Sequence, residues 1–176
     1  MATTYKIDPA HSSAQFTIRH MMITNVRGSF KKVEGTIVLD RENPAASSVE
    51  ATIDAGTINT NEEQRDAHLK SPDFLDVAKY PTITFVSTRV APSSNGEWKV
   101  DGNLTIHGVT RPVTLDVEAP SEEGKDLRGY IRIGTSAATK IKRGDYGLTF
   151  NAALETGGVV LGDELKIELD ISAVRA

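Results

Sequence analysis

The sequence predicts an all-β fold, an antiparallel barrel or sandwich with one short helical insertion, and three observations carry that reading. Apolar residues recur at every second position over stretch after stretch, the period of a half-buried strand. Glycine, proline, asparagine and serine separate those stretches, as turns require. One segment alone, Asn59 to Phe85, stops alternating and takes on helix-start chemistry. Strands without alternating helices belong to barrels and sandwiches rather than to α/β enzyme folds.

Tyr5 and Ile7 open the first strand, Asp8-Pro9 breaks it, and Ala14, Phe16, Ile18 and His20 resume one face. The segment from Val26 to Phe30 continues extended, and Gly28 inside it predicts a bulge or a close backbone approach. Val33, Gly35, Ile37 and Leu39 share a face of the next strand, and after Asn43-Pro44 so do Val49, Ala51, Ile53 and Ala55. Thr60 with Glu63 three residues later has the form of a capping box, so a helix is expected there. Ser71-Pro72-Asp73 repeats the signal and predicts a second helical turn carrying Phe74 and Leu75. Tyr80-Pro81 returns the chain to an extended backbone, and Thr82 to Val90 reads as strand.

Pro92 to Gly96 predicts a hairpin, with Trp98, Val100, Gly102, Leu104 and Ile106 on the returning face. The turn at His107 to Pro112 leads to Val113, Leu115 and Val117. A further turn at Ser121 to Lys125 is expected to begin a strand through Leu127, Gly129, Ile131 and Ile133. Leu165, Ile167, Leu169 and Ile171 alternate with charged residues in the last strand. Small residues (Ala14, Gly35, Ala51, Ala55, Gly102, Gly129) interrupt the inward faces, and aromatics make up only 6% of the chain. A barrel lined this way would leave a cavity for one small ligand, whereas a sandwich would interdigitate around the same positions.

The length of 176 residues without a linker fits one domain spanning 1–176. Twenty basic against 24 acidic residues give a net charge of -4, which offers no electrostatic footprint for nucleic acid or for anionic lipid headgroups, so neither is expected as a partner. With no cysteine, disulfide scaffolds, thiolate metal sites and cysteine nucleophiles are excluded. The N-terminus lacks a basic segment followed by an apolar one, and no stretch has the length to span a bilayer, so stable membrane insertion is not expected. The chain as it stands is expected in the cytoplasm, or in the periplasm if a leader has been removed.

The four histidines show no metal-binding spacing, so no metal and no cofactor is expected. His20 ends an apolar face, where a hydrogen-bonded core histidine is the default, and His107 lies in a turn, where solvation is the default. Asp66 and His68 are two apart on the expected helix, face different sides, and cannot pair; no Gly-x-Ser-x-Gly elbow supplies a nucleophile. No residue is assigned a catalytic role. Arg65 and Asp66 are expected to anchor the helical segment through charge-assisted hydrogen bonds. Arg143-Gly144-Asp145 is too short a match to an adhesion tripeptide to carry meaning. Phe16, Ile18, Phe30, Phe74, Phe85, Leu104, Ile106 and Ile131 form either a packed core or the wall of a lipid tunnel.

Several ordered segments carry a resemblance. They are His11-Ser12, Phe16-x-Ile18-x-His20, Val26-x-Gly28-x-Phe30, Arg65-Asp66-x-His68-Leu69, Asp73-Phe74, Tyr80 to Phe85, Gly102-x-Leu104 to Val113, and Arg143-x-Asp145-Tyr146-Gly147. Together they resemble the YceI-like family of lipocalin-like polyisoprenoid-binding proteins. The resemblance implies an extended eight-stranded antiparallel β-barrel with a helical insertion, holding a long isoprenoid or similar lipid, and it suggests a homodimer; polyisoprenoid, quinone and fatty acyl chains all suit an apolar tube, and a non-catalytic carrier is the function expected. On that reading the lumen is formed by Phe16, Ile18, His20, Phe30, Phe74, Phe85, Leu104, Ile106, Ile131 and Tyr146. Arg65, Asp66, His68 and Arg143 become candidates for the headgroup or for anchoring the helical plug. The alternative is a lipid-modifying isomerase or hydrolase with His20 or His68 as its base.

Overall fold

The computed structural model describes residues 1–151 and 161–176. Its strands are β1 (Thr3–Ile7), β2 (Ser13–His20), β3 (Thr24–Phe30), β4 (Val33–Leu39), β5 (Ser48–Asp54), β6 (Thr82–Pro92), β7 (Glu97–Ile106), β8 (Val109–Glu118), β9 (Gly124–Lys125), β10 (Ile131–Lys142) and β11 (Leu161–Arg175). Among the described residues one α-helix, α1 (Glu63–Lys70), interrupts them. Among the described residues no helix is long and apolar enough to cross a membrane.

Closure of the sheet follows from β11, whose two edges are both paired. One edge runs against β10 without a break from Arg132↔Val174 to Lys142↔Glu164. The other meets β1 near its C-terminal end, at Ile7↔Ala173, and then β2, from Ser13↔Asp170 to Ile18↔Leu165. So β1 and β2 are two halves of one long strand, broken where Asp8-Pro9 starts a 3-10 turn over Pro9–His11. Their antiparallel partners β4 and β3 are likewise two halves of one strand. Counting each pair once gives a closed antiparallel barrel of eight strands, β1/β2, β3/β4, β5, β6, β7, β8, β10 and β11. This is the barrel of the two architectures that periodicity left open.

The ring is not equally tight along its length. β4 pairs with β5, but among the described residues the outer edge of β3 meets only the isolated bridge Ser29↔Asn59. The helical segment lies on this side, and its Leu69, Phe74 and Leu75 complete the wall. At the opposite end the loop after β8 folds over the barrel. The Tyr5 hydroxyl donates to Glu123 Oε1 at 2.6 Å, and the Arg41 guanidinium donates to the Pro120 carbonyl at 3.0 Å and to that of Ser121.

Three sequence expectations change here. The helix is capped by Glu62, whose carboxylate accepts from the backbone N–H groups of Gln64 and Arg65, and not by Thr60. Thr60 is drawn inside instead, because Asp66 and Arg65 both bind it. After α1 the residues around Phe74 form hydrogen-bonded turns, with Phe74 N–H donating to the Ser71 carbonyl at 3.0 Å, and not a second helical turn. The strand expected through Leu127 and Gly129 begins only at Ile131. Asp126 accepts from the N–H groups of Arg128 and Tyr130, so it ties the preceding residues into a turn and leaves Leu127 fully exposed.

Asp8 holds the break between β1 and β2. Its carboxylate caps the turn through Ala10 N–H at 2.9 Å, meets His11 at 2.8 Å and pairs with Arg132 of β10 at 2.7 Å. The Arg132 guanidinium, followed by the His11 contact, pulls the Asp8 pKa from 3.8 down to about 2. A depressed carboxylate stabilises the fold above its ordinary value and stops doing so as pH falls through the folded one. Asp8→Asn is therefore expected to be less stable than the parent at neutral pH, with the gap closing between pH 3.8 and about 2. Urea unfolding across that range measures it, and a gap independent of pH would contradict the assignment.

Candidate functional site

The inward faces of the barrel enclose an elongated cavity of about 280 Å³. A water needs only ~10–15 Å³ by this measure, so the space is far larger than a packing defect. Lining positions on β11 run from Leu161 to Ile171, roughly 30 Å of strand at ~3.3 Å per residue. The far end is walled by Ile7, Leu39 and Ile133, and the helix end by Phe16, Phe74 and Leu161.

Small residues explain why the lumen stays open, and aromatic rings explain its shape. A Cβ at Gly28 would lie 2.2 Å from the ring of its cross-strand partner Phe16, and one at Gly102 would lie 2.4 Å from that of Phe85. The two rings therefore cover glycine backbone and present their outer faces to the cavity. Gly28 thus accommodates a side-chain ring, where the sequence predicts a bulge or a close backbone approach, and the β2–β3 register runs through it without a shift. Phe16, Ile18, Phe30, Phe74, Phe85, Leu104 and Ile106 all line the space.

His20, Ile131 and Tyr146 of the expected lumen set lie outside the lining. His20 ends β2 beside the turn into β3, where its carbonyl accepts from Ile23 N–H at 3.3 Å. Ile131 pairs with Lys125 beyond the far end of the barrel. Tyr146 is 1% exposed and packs with Ile58, Ile106 and Leu148 behind the wall.

Arg143 is the one charged side chain in the lining among the described residues, and it is only 4% exposed. A 3-10 turn over Arg143–Tyr146 directs it inward from the end of β10. Its Nε donates to the Gly162 carbonyl at 2.8 Å, and its Nη1 to the carbonyls of Leu148 and Phe150 at 2.6 and 2.8 Å. Among the described residues, backbone oxygens hold the guanidinium and no carboxylate pairs with it. Burial lowers its pKa, with the charge of Asp163 acting in the opposite sense. The result is one positive charge at the helix end of an otherwise apolar tube.

The remaining candidates build the plug. Asp66 Oδ1 accepts from Thr60 N–H at 2.8 Å and from its hydroxyl at 2.5 Å; Arg65 donates to the Thr60 hydroxyl and carbonyl, both at 2.8 Å. Thr60 follows the Ser29↔Asn59 bridge, so these bonds fasten α1 to the edge of β3, the anchoring role expected for them. His68 does not meet Asp66. Its Nε2 lies 2.8 Å from Asp73 Oδ2, and its ring packs edge-on against Phe74 and Phe150, with centroids 5.0 and 5.1 Å apart. That pair was missed because it depends on the turn after α1, which spacing within a helix does not describe. His107 is not simply solvated: it stacks edge-on against Tyr80 and meets the Tyr146 carbonyl at 3.2 Å.

Comparison with known proteins gives the same architecture. The model of the YceI-like domain matches residues 5–173. A UPF0312 protein of Staphylococcus aureus (strain MSSA476) is 40% identical over 166 residues, covering 94% of each chain. The crystal structure of BcnA from Burkholderia cenocepacia superposes with a TM-score of 0.82 at 25% identity, over 94% of this chain and 98% of that one. A domain from Saccharophagus degradans, described as polyisoprenoid binding and implicated in plant cell wall breakdown, superposes at 0.72 with 18% identity over 99% of both chains.

One polar atom behind the wall carries a prediction. The Tyr146 hydroxyl is buried with no hydrogen-bond partner among the described residues, and burial raises its pKa. Leaving such a group unsatisfied costs ~1–3 kcal/mol. Tyr146→Phe is expected to raise the melting temperature by roughly 2–4 °C per kcal/mol regained. Calorimetry reads this directly, and a lower melting temperature would mean that the hydroxyl is bonded.

Proposed function

The chain belongs to the YceI-like domain family, and from that premise we propose that it sequesters or transports a long apolar lipid tail in the barrel lumen without altering it chemically. The observation that carries this reading is the cavity: a tube of the barrel's own length, lined mainly by apolar side chains, with the buried guanidinium of Arg143 at one end. Polyisoprenoid, quinone and fatty acyl chains all suit such a wall. The fold neighbour described as a polyisoprenoid binding domain supports the first of these.

The energetics favour tail recognition. Each methylene transferred from water contributes roughly 0.8 kcal/mol, about fourfold in affinity, so a long tail outweighs any single polar contact. Arg143 then selects what stands at the tail's end: a polar or anionic headgroup relieves a desolvated cation, and a purely hydrocarbon end does not. Arg65 and Asp66 are taken up by Thr60, so their part is to hold the plug. A homodimer belongs to the same proposal. Catalysis by His20 or His68 has less support, since neither lines the space in which a lipid would sit.

Ala137 supplies a test that leaves the fold intact, because it lines the lumen from the middle of β10 and a larger side chain there fills existing space. The parent is expected to bind prenyl alcohols with affinity that climbs as the chain lengthens. Ala137→Trp is expected to keep or raise the melting temperature and to lose that binding. Fluorescence titration and thermal melts on one preparation check both, and undiminished binding by the folded variant would sink the lumen reading.

A further inference from the structure

The barrel builds its tight hairpins in two ways. At Asn95-Gly96 and His107-Gly108 the turn residues have positive φ, 58° and 73°, then 55° and 72°, and glycine takes the second place in both. The hairpin between β2 and β3 has the same left-handed pair, φ 52° and 63°, but fills it with Met21 and Met22. Two methionines in that conformation are uncommon and unfavourable next to Asn-Gly. They are also exposed, Met21 at 45% and Met22 at 56%, and Ile23 beside them at 75%. Local stability is sacrificed at this turn to hold three consecutive apolar side chains in solvent.

The flanks of this tip have a sign. Between Asp8 and Glu34 the sequence carries Arg19, Arg27, Lys31 and Lys32 and no carboxylate, although the whole chain is acidic. Arg19 pairs across the hairpin with Asn25 and Arg27 with Thr17, which puts both arginines on the outward face. The opposite face of the same two strands carries Phe16 and Ile18 into the cavity. The nearby carboxylates at the start of β11 are Asp163 and Glu164, and Glu164 faces Lys140 at 3.9 Å. His20 pairs with Leu161, so the tip and Arg143, bonded to Gly162, stand at the same end of the barrel.

Resting on the lipid-carrier reading, we propose that the β2–β3 hairpin docks the barrel on an anionic lipid surface. Met21, Met22 and Ile23 enter the acyl region, Arg19 and Arg27 meet lipid phosphates, and the tail passes between bilayer and lumen along the inner face of the hairpin. An apolar tip with basic shoulders matches the two attractions of such a surface, burial of hydrocarbon and neutralisation of headgroup charge.

Co-sedimentation with vesicles tests this. The parent is expected to partition onto phosphatidylcholine vesicles containing phosphatidylglycerol, much less onto phosphatidylcholine alone, and to come off as salt is raised. Met21→Asn with Met22→Gly relaxes the turn, so it is expected to fold at least as well and to lose roughly tenfold or more in partitioning; Arg19→Gln with Arg27→Gln is expected to lose a similar factor. Both pairs should still bind prenyl alcohol in solution, whereas Ala137→Trp should bind vesicles and no prenyl alcohol, which separates failure of docking from failure of the lumen. Equal partitioning by parent and Met21→Asn/Met22→Gly would overturn the proposal. So would a parent that ignores the mixed vesicles and instead self-associates through the tip.

Discussion

The architecture depends on one long pairing. β11 is hydrogen-bonded along both edges, to β10 on one side and to β1 and β2 on the other, and this joins the sheet into a ring. A ring of eight strands has a fixed diameter, wide enough that interior side chains must be large to fill it. This chain supplies Ala14, Ala51, Ala137 and Gly102 at inward positions, and the rings of Phe16 and Phe85 lie back against glycine backbone. Closure sets the size of the interior, and composition leaves it unfilled. The cavity follows from those two facts together.

The two ends of the tube differ in chemistry. At the far end, Tyr5 and Arg41 fix the loop after β8 across the opening, and Asp8, Arg132 and Asp126 brace the strands around it. At the helix end the wall is partly made of a segment outside the barrel ladder, held by Thr60 and by a cluster of His68, Phe74 and Phe150. Arg143 sits there, its hydrogen bonds among the described residues all going to backbone carbonyl oxygens. On the proposed reading, the tail would lie toward the end closed by the loop after β8 and the headgroup toward the end that carries Arg143. The basic hairpin projects from that same end, so one direction along the barrel axis unites cavity, charge and surface.

Much of this was legible in the residues. Alternation located most of the strands and Asp8-Pro9 the break in the first, while Gly28, expected to mark a bulge or a close backbone approach, makes room for the Phe16 ring. Periodicity did not distinguish barrel from sandwich, because it reports which face of a strand is apolar and not whether opposite faces belong to one sheet. That choice lies in pairings such as Arg132↔Val174, which no local pattern encodes. The helix start was misplaced by two residues since Thr60 satisfies the capping-box pattern yet is claimed by Asp66. Arg143 looks like other basic residues in the sequence; only the turn at the end of β10 makes it a buried cation. Ile131 shares the alternation of lumen residues but lies beyond the barrel's end, and Tyr146, in the 3-10 turn after β10, lies behind the wall.

The central claim is that the lumen holds a lipid tail, and native mass spectrometry of freshly purified protein tests it most directly. The account predicts a discrete apolar adduct that organic extraction releases as a long-chain lipid with a polar or anionic end, and the same spectrum reports whether the carrier is a dimer. Protein that stays at its bare mass even after incubation with polyprenyl, quinone and fatty acyl lipids would contradict it.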